Sequence, residues 1–420
     1  MDVPDAIQLM GDKQWQEIKS RLTGKFNKMM KGLFRQKGAQ LDINILASDE
    51  AQEFITTHAG VLDTGFQKVE MSDKMRERLT RSNYIFSGIK TFHELNEAFP
   101  SMLDENGNKK PFERFLNDVQ KINDTYNANY LHAEYNFVQA SATMAAKWEQ
   151  FSEDGDRYYL QYRTAKDDKV RPEHAALDGV TLPMSDSFWE TYYPPNGWNC
   201  RCTVVQVRKQ KYPATEHAEA MSRGEEAMNG ERYNIFRFNS GKQGKTMPDY
   251  NPYTIKRCND CDVAKGGNTK LGFVPDYQLC QGCIMIRKCS EDRNRDNSAK
   301  ATKKSPEVKK LQGTTISNPD FNHEVLVTGG SIREWTNQPH KEYAAKNSIL
   351  KHIAKVFREA KYIGFIDNFK MKPGVKQSHL FETNVLGELS WIIVREYEIG
   401  EFVLHSISDS DKIKTGIRKE

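Results

Sequence analysis

The 420-residue sequence lacks any apolar run near the roughly 18 residues a membrane-spanning helix needs, and its opening, MDVPDAIQLM, has no basic segment leading into an apolar one. A soluble, unsecreted chain without a membrane partner is the expectation. Charge of one sign is also missing. With 61 Lys and Arg against 57 Asp and Glu, the formal net charge is +4, so any polyanionic partner must be met by a local patch. No segment repeats at solenoid periods. Cysteine is sparse and odd in number, seven in all, grouped as C-x-C, two C-x-x-C pairs and a lone Cys289. In a reducing compartment that grouping favours thiolate chemistry over a disulfide framework and puts metal first.

What is present is a succession of unlike blocks, read as a multidomain α+β chain. Residues 13–36 place Trp15, Ile18, Leu22, Phe26, Met29 and Leu33 at helical spacing with Lys and Arg between them, a basic amphipathic helix. Ser48, Ser72 and a Thr91–Glu94 capping box mark further helix starts. The rhythm Phe115, Val119, Ile122, Tyr126, Tyr130, Ala133, Phe137, Ala140, Met144, Trp148, Phe151 predicts one long scaffold helix of about 50 Å, at about 1.5 Å per residue. Short strands and turns follow from about residue 157, then a helical piece near 214–230. Residues 291–310 are polar and charged, read as a linker that buries too little to order itself. Beyond it, a helix over 340–360 and a four-stranded antiparallel meander over 362–408 predict a separate α+β domain. The boundaries are 1–155, 156–250, 251–290, 291–310 and 311–420.

Cys258, Cys261, Cys280 and Cys283 form C-x2-C-x18-C-x2-C, the spacing of a four-thiolate zinc site. Two such knuckles close a tetrahedral shell, leave no position for a catalytic water, and make the zinc structural. A second candidate set is Cys200 and Cys202 in PPNGWNCRC. In an extended segment both sulfurs point one way and Arg201 the other, and His174 is the nearest upstream imidazole. A metal there and an inert packed turn are both compatible with the residues. A disulfide between Cys200 and Cys202 would be badly strained.

Residues 162–207 carry, in order, Arg163, Arg171, His174, Leu177, Asp178, Gly179, Phe188, Trp189, Pro195, Cys200, Arg201 and Cys202. This arrangement resembles the phage Mu protein F-like minor head, or head morphogenesis, family, and with the preceding helix the likeness covers roughly residues 40–210. The resemblance implies a low-copy, non-enzymatic component of a tailed-phage or prophage head. It implies portal and capsid proteins as partners, phage DNA as a further one, and localisation in the virion, with the host cytoplasm during assembly. The cysteine cluster at 258–283 is an insertion relative to that pattern.

The C-terminal layout, with HKEYAAKN, SHLF, IIVRE and LHSIS, resembles the phage barnase, EndoU, colicin and RelE-like nucleases. That likeness implies metal-independent cleavage of RNA: His340 or His379 as base and acid, Lys346 and Arg395 as cations, Ser406 as a donor to phosphate. Lys346 stands out because a helical wheel puts it in the middle of the stripe Ile349, Ile353, Phe357, Ala360, where an unpaired ammonium is costly. A phage-delivered effector nuclease is the alternative to an assembly protein. A host zinc protein that binds nucleic acid leaves the 162–207 pattern unexplained.

Overall fold

The computed structural model describes residues 12–38, 40–249, 251–257, 281–368 and 372–418. The chain divides into two compact units, Met1–Ser290 and Glu291–Glu420. Among the described residues no helix is long and apolar enough to cross a membrane.

In the first unit, α1 (Asp12–Phe34) buries Leu22, Phe26, Met29, Met30 and Leu33 completely. Three of its cations are committed to nearby acids, Lys25 and Lys28 to Glu53 and Lys19 to Asp124, and Arg35 just past its end pairs with Glu50. That is a surface helix seated on a core. Ser48 and Ser72 cap α2 (Asp49–Asp63) and α3 (Asp73–Ala98), each hydroxyl accepting a first-turn N–H. The Thr91–Glu94 box starts nothing, because it lies inside α3. Thr91 there donates to the Ser87 carbonyl at 2.8 Å, and Glu94 is fully buried.

The expected scaffold helix is three pieces in continuous register: α4 (Phe112–Asp124), a π-helical turn (Thr125–Tyr130) and α5 (Leu131–Asp154). A π turn widens the ladder and releases a carbonyl from it. Here the Tyr126 carbonyl accepts from Lys90 Nζ at 2.7 Å. The buried Lys90 also meets Glu134 Oε2 at 2.7 Å and His58 Nε2 at 3.0 Å, and Tyr253 donates to the other Glu134 oxygen. Periodicity alone could not show this interruption, since its cause lies on another helix.

A small antiparallel sheet follows, ordered β2-β1-β3: β1 (Tyr159–Arg163), β2 (Thr181–Pro183) and β3 (Thr203–Val207). Gln161 sits opposite both Thr181 and Val205. Leu160, Tyr162 and Val204 point into the same apolar cluster as α1–α5. The helical block and the 156–250 block therefore share one core, and the boundary expected at 155/156 separates no compact units. The helix His217–Ala227 lies within the 214–230 piece read as helical.

The stretch read as a linker is helical. Gln281–Lys304 and Pro306–Leu311 are helices, with Ser305 between them. Low hydrophobicity suggests disorder, but Lys, Arg, Glu and Ala are strong helix formers, and Ala299, Thr302 and Val308 supply buried anchors.

The second unit is built on a six-stranded sheet ordered β4-β5-β9-β8-β7-β6. The expected meander is β6 (Lys361–Asp367), β7 (Val375–Val385), β8 (Glu388–Tyr397) and β9 (Phe402–Ser408). A hairpin of β4 (Thr315–Asn318) and β5 (Phe321–Leu326) extends it through a parallel β5–β9 contact, so four strands become six. The helix expected at 340–360 is Tyr343–Ile349 and Ile353–Glu359 around a 3-10 turn. Trp335, Leu350, Ile353 and Phe357 pack with Phe381, Ile392, Val394, Leu404 and Ile407 against one sheet face.

Candidate metal centre

The loop 194–202 is held from several sides. Tyr193 donates to the Met144 carbonyl of α5 at 3.0 Å, Trp198 packs edge-on to Phe137 at 5.2 Å, and Asn136 donates to Asn199 at 3.0 Å. Asn199 takes a left-handed conformation, φ 57°, which Asn tolerates better than most residues. Gly197 leaves room for Arg171: a Cβ there would come within 3.0 Å of Arg171 Nη1 and 3.7 Å of His174 Cε1. Arg171 uses that space to donate to the Trp198 carbonyl at 2.7 Å. The neighbouring Asp178 accepts from the Thr164 N–H at 2.8 Å, tying the HAALDG turn to the end of β1.

These contacts bring three ligand atoms together. His174, on the short helix Pro172–Ala175, is 2% exposed, and its Nδ1 lies 3.7 Å from Cys200 Sγ and 3.8 Å from Cys202 Sγ. All three atoms fall within 4.8 Å of one another. Arg201 turns away to an ion pair with Asp167. A tetrahedral ion bonded at about 2.3 Å to sulfur and about 2.0–2.1 Å to nitrogen sets those ligands about 3.6 Å apart, so the cluster stands close to metal geometry already. His174, Cys200 and Cys202 can thus hold a metal ion.

The electrostatics agree with a site that wants a cation. The hydrogen bond from Cys202, supported by His174, holds the Cys200 thiol well below its ordinary range, while the same contact and burial push Cys202 up. His174 Nε2 is buried without a hydrogen-bond partner. Tyr162, missed in the sequence, closes the site: its hydroxyl donates to Asn196 at 2.8 Å, and burial followed by the adjacent sulfurs pushes its phenol up. Its place on β1, alternating with Gln161 and Arg163, was the available signal. Among the described residues no other group of three or more His, Cys, Asp or Glu is placed to hold a metal ion.

Of the other metal candidates, Cys258, Cys261 and Cys280 lie outside the described residues. Cys283 is buried on the helix Gln281–Lys304.

The residues proposed for RNA chemistry do not converge. His340 meets Ser390 at 2.9 Å, whereas His379, 1% exposed, is held between the Tyr362 hydroxyl and Glu396 Oε2, both at 3.0 Å. Ser390 and Glu396 are six residues apart on β8, roughly 20 Å at about 3.3 Å per residue, so these histidines are no acid–base pair on one phosphate. Lys346 Nζ donates to the Trp335 and Gln338 carbonyls at 2.6 Å each, ending the helix Gly329–Asn337, and burial lowers its pKa to about 8. Its place in an apolar stripe is answered by a helix terminus.

Arg395 and Ser406 do share a neighbourhood. The β8–β9 register moves from Ile393 opposite Ser406 to Val394 opposite Leu404, leaving His405 as the extra residue of a bulge. Burial, then Arg395 and Lys372, lowers the His405 pKa to about 4. Sequence reading overlooked His405 because a bulge depends on pairing.

Residues 106–205 match the family described as Phage Mu protein F like protein, and residues 294–404 match Large polyvalent protein-associated domain 3. The chain is 32% identical over 179 residues to the putative capsid assembly protein F of Escherichia phage Mu, a match covering 41% of this chain and 38% of that protein. It is 33% identical over 102 residues to the Mu-like prophage FluMu F protein of Haemophilus influenzae, covering 24% of this chain and 22% of that one. The chain thus spans well under half the length of these relatives. No solved structure matches the chain significantly. The stretch that supplies His174, Cys200 and Cys202 is the stretch similar to the Phage Mu protein F like family.

Proposed function

We propose that this chain is a minor head protein of a tailed phage or prophage, acting in head assembly and DNA packaging where portal and capsid meet. The observation that carries this reading is the similarity over 106–205, which includes every residue of the candidate metal centre. In this reading the centre is a structural joint: a zinc ion on His174, Cys200 and Cys202 locks the loop 194–202 to α5 and the small sheet. A second structural zinc on Cys258, Cys261, Cys280 and Cys283 holds the insertion. Particles purified after induction, analysed by mass spectrometry, are expected to contain this chain at a few copies per portal. Heads that package DNA normally without it would sink the proposal.

A nuclease activity in the second unit is a further part of the proposal, favoured by the bulge at His405. The residues that would serve it are His405 as base, neutral at pH 7, with Arg395 and Lys372 stabilising phosphoryl charge and Ser406 donating a hydrogen bond. The full chain is expected to cleave mixed RNA in chelator, and His405→Asn to lose that cleavage at least a hundredfold. Cleavage untouched by His405→Asn, or none from the parent chain, removes the nuclease and leaves the assembly role intact. An effector delivered with the genome would need that cleavage.

A further inference from the structure

The segment after β3, Arg208-Lys209-Gln210-Lys211-Tyr212, is a turn held rigid by its own backbone. The Arg208 carbonyl accepts from the N–H groups of Lys211 and Tyr212, at 3.0 and 3.1 Å. Thr215 then bonds to Thr181 of β2, so the segment runs from one edge strand of the small sheet to the other. Arg208, Lys209 and Lys211 are exposed. Arg163, on β1, is half-buried beside them with its Nε lacking any hydrogen-bond partner.

Two tyrosines splint these cations. Lys209 Nζ stands 4.8 Å from the Tyr159 ring centre, and Tyr212 carries Arg163 at 6.0 Å and Lys211 at 5.5 Å. Among the described residues none of the four cations is ion-paired with a carboxylate. The nearby acids are engaged elsewhere: Asp154 with Arg157, Asp178 with Lys166, Asp167 with Arg201. Asp156, the acid that feels Lys209, accepts from the Ser185 N–H at 3.0 Å. The contrast with α1 is direct, since Lys19, Lys25 and Lys28 there are spent on its own unit's acids. Four cations without a carboxylate partner, three of them held at a tyrosine ring, form a receptor for a polyanion.

The rings decide which polyanion. Single-stranded nucleic acid is normally gripped by stacking bases on open aromatic faces. Lys209 stands over Tyr159, and Arg163 and Lys211 over Tyr212, so charge is presented where a base would otherwise stack. We infer that the turn 208–212 with Arg163 binds the phosphate backbone of double-stranded DNA, without reading its sequence. This gives the assembly reading a DNA-contacting surface, yet it stands on separate observations and survives if the chain proves absent from phage heads.

The test is fluorescence anisotropy of the full chain with a labelled 20-base-pair duplex from 50 to 200 mM NaCl. Four neutralised phosphates at about −0.9 each predict a log–log salt slope of about −3.6, a fall in affinity of roughly a hundredfold over that range. The triple variant R208Q/K209Q/K211Q, with unchanged melting temperature as its folding control, is expected to flatten the slope by about 2.7. Absence of binding by the parent chain at 50 mM salt overturns the inference, as does a triple variant with the parent slope. Tighter binding of single-stranded DNA or polyglutamate than of the duplex also overturns it, by showing that bases or a protein partner are the ligand.

Discussion

The Cys200→Ser variant is expected to purify with one equivalent of zinc less than the parent chain, one against two by elemental analysis. Cys261→Ser is expected to remove the other. The first loss follows from geometry: with the Sγ atoms 3.7 and 3.8 Å from His174 Nδ1, deleting one sulfur leaves a single thiolate and one imidazole, too few to hold a tetrahedral ion. An ion present at a thousandfold over its dissociation constant stabilises the folded chain by about 4 kcal/mol, so the variant should also melt well below the parent. Cobalt substitution gives an independent reading, because thiolate-to-cobalt absorption should fall by about a third in Cys200→Ser, which loses the two-thiolate site and keeps the four-thiolate one. Equal zinc content in parent and variant would show that the three side chains pack as an inert turn.

Which parts of this architecture could be read in advance depended on whether the cause was local. Ser48 and Ser72 cap helices through hydroxyls three residues from the N–H they satisfy, and both starts were legible. Thr91 and Glu94 have the same local pattern but belong mid-helix, because Lys90 on the preceding position is drawn into a buried network with residues 32 and 44 positions away. The π turn at Thr125–Tyr130 belongs to that network as well. The metal centre was legible in part, since alternation puts Cys200 and Cys202 on one side of an extended segment. Tyr162 was not, because its approach depends on β1 pairing with β3. In the second unit, the strands β6–β9 could be read from composition and turns, whereas β4 is only four residues long and β5 alternates poorly, with three exposed residues in a row. Lys346 looked chemical because a wheel sees only its own helix and misses the carbonyls of Trp335 and Gln338.

Glu94→Met is expected to stabilise the protein, and to do so increasingly as pH rises. Glu94 is fully buried, where its carboxyl finds too few hydrogen-bond partners to offset the loss of water. Burial pushes its pKa to about 8 from 4.5, with Lys90 and the Asn127 side chain opposing and Glu134 and Glu97 adding to the rise. Glu134 shows the opposite outcome in the same core: burial pushes it up as well, but Lys90 and His58 outweigh that and hold it at about 2. One ammonium serves one carboxylate, and Glu94 is the one left protonated. The sign then follows. The folded state holds the Glu94 proton more tightly than the unfolded chain, so stability is lost as pH climbs from 4.5 and the loss levels off above about 8. At about 1.4 kcal/mol per pKa unit the loss approaches 5 kcal/mol at its plateau, and roughly 3 kcal/mol of it is already present at pH 7. Methionine fills a similar volume with no proton to lose, so its advantage over the parent should be small at pH 4 and largest near pH 9. Urea unfolding across that range reads the difference directly. A gap between variant and parent that does not widen with pH would mean that Glu94 is ionised in the folded core, sharing Lys90 with Glu134.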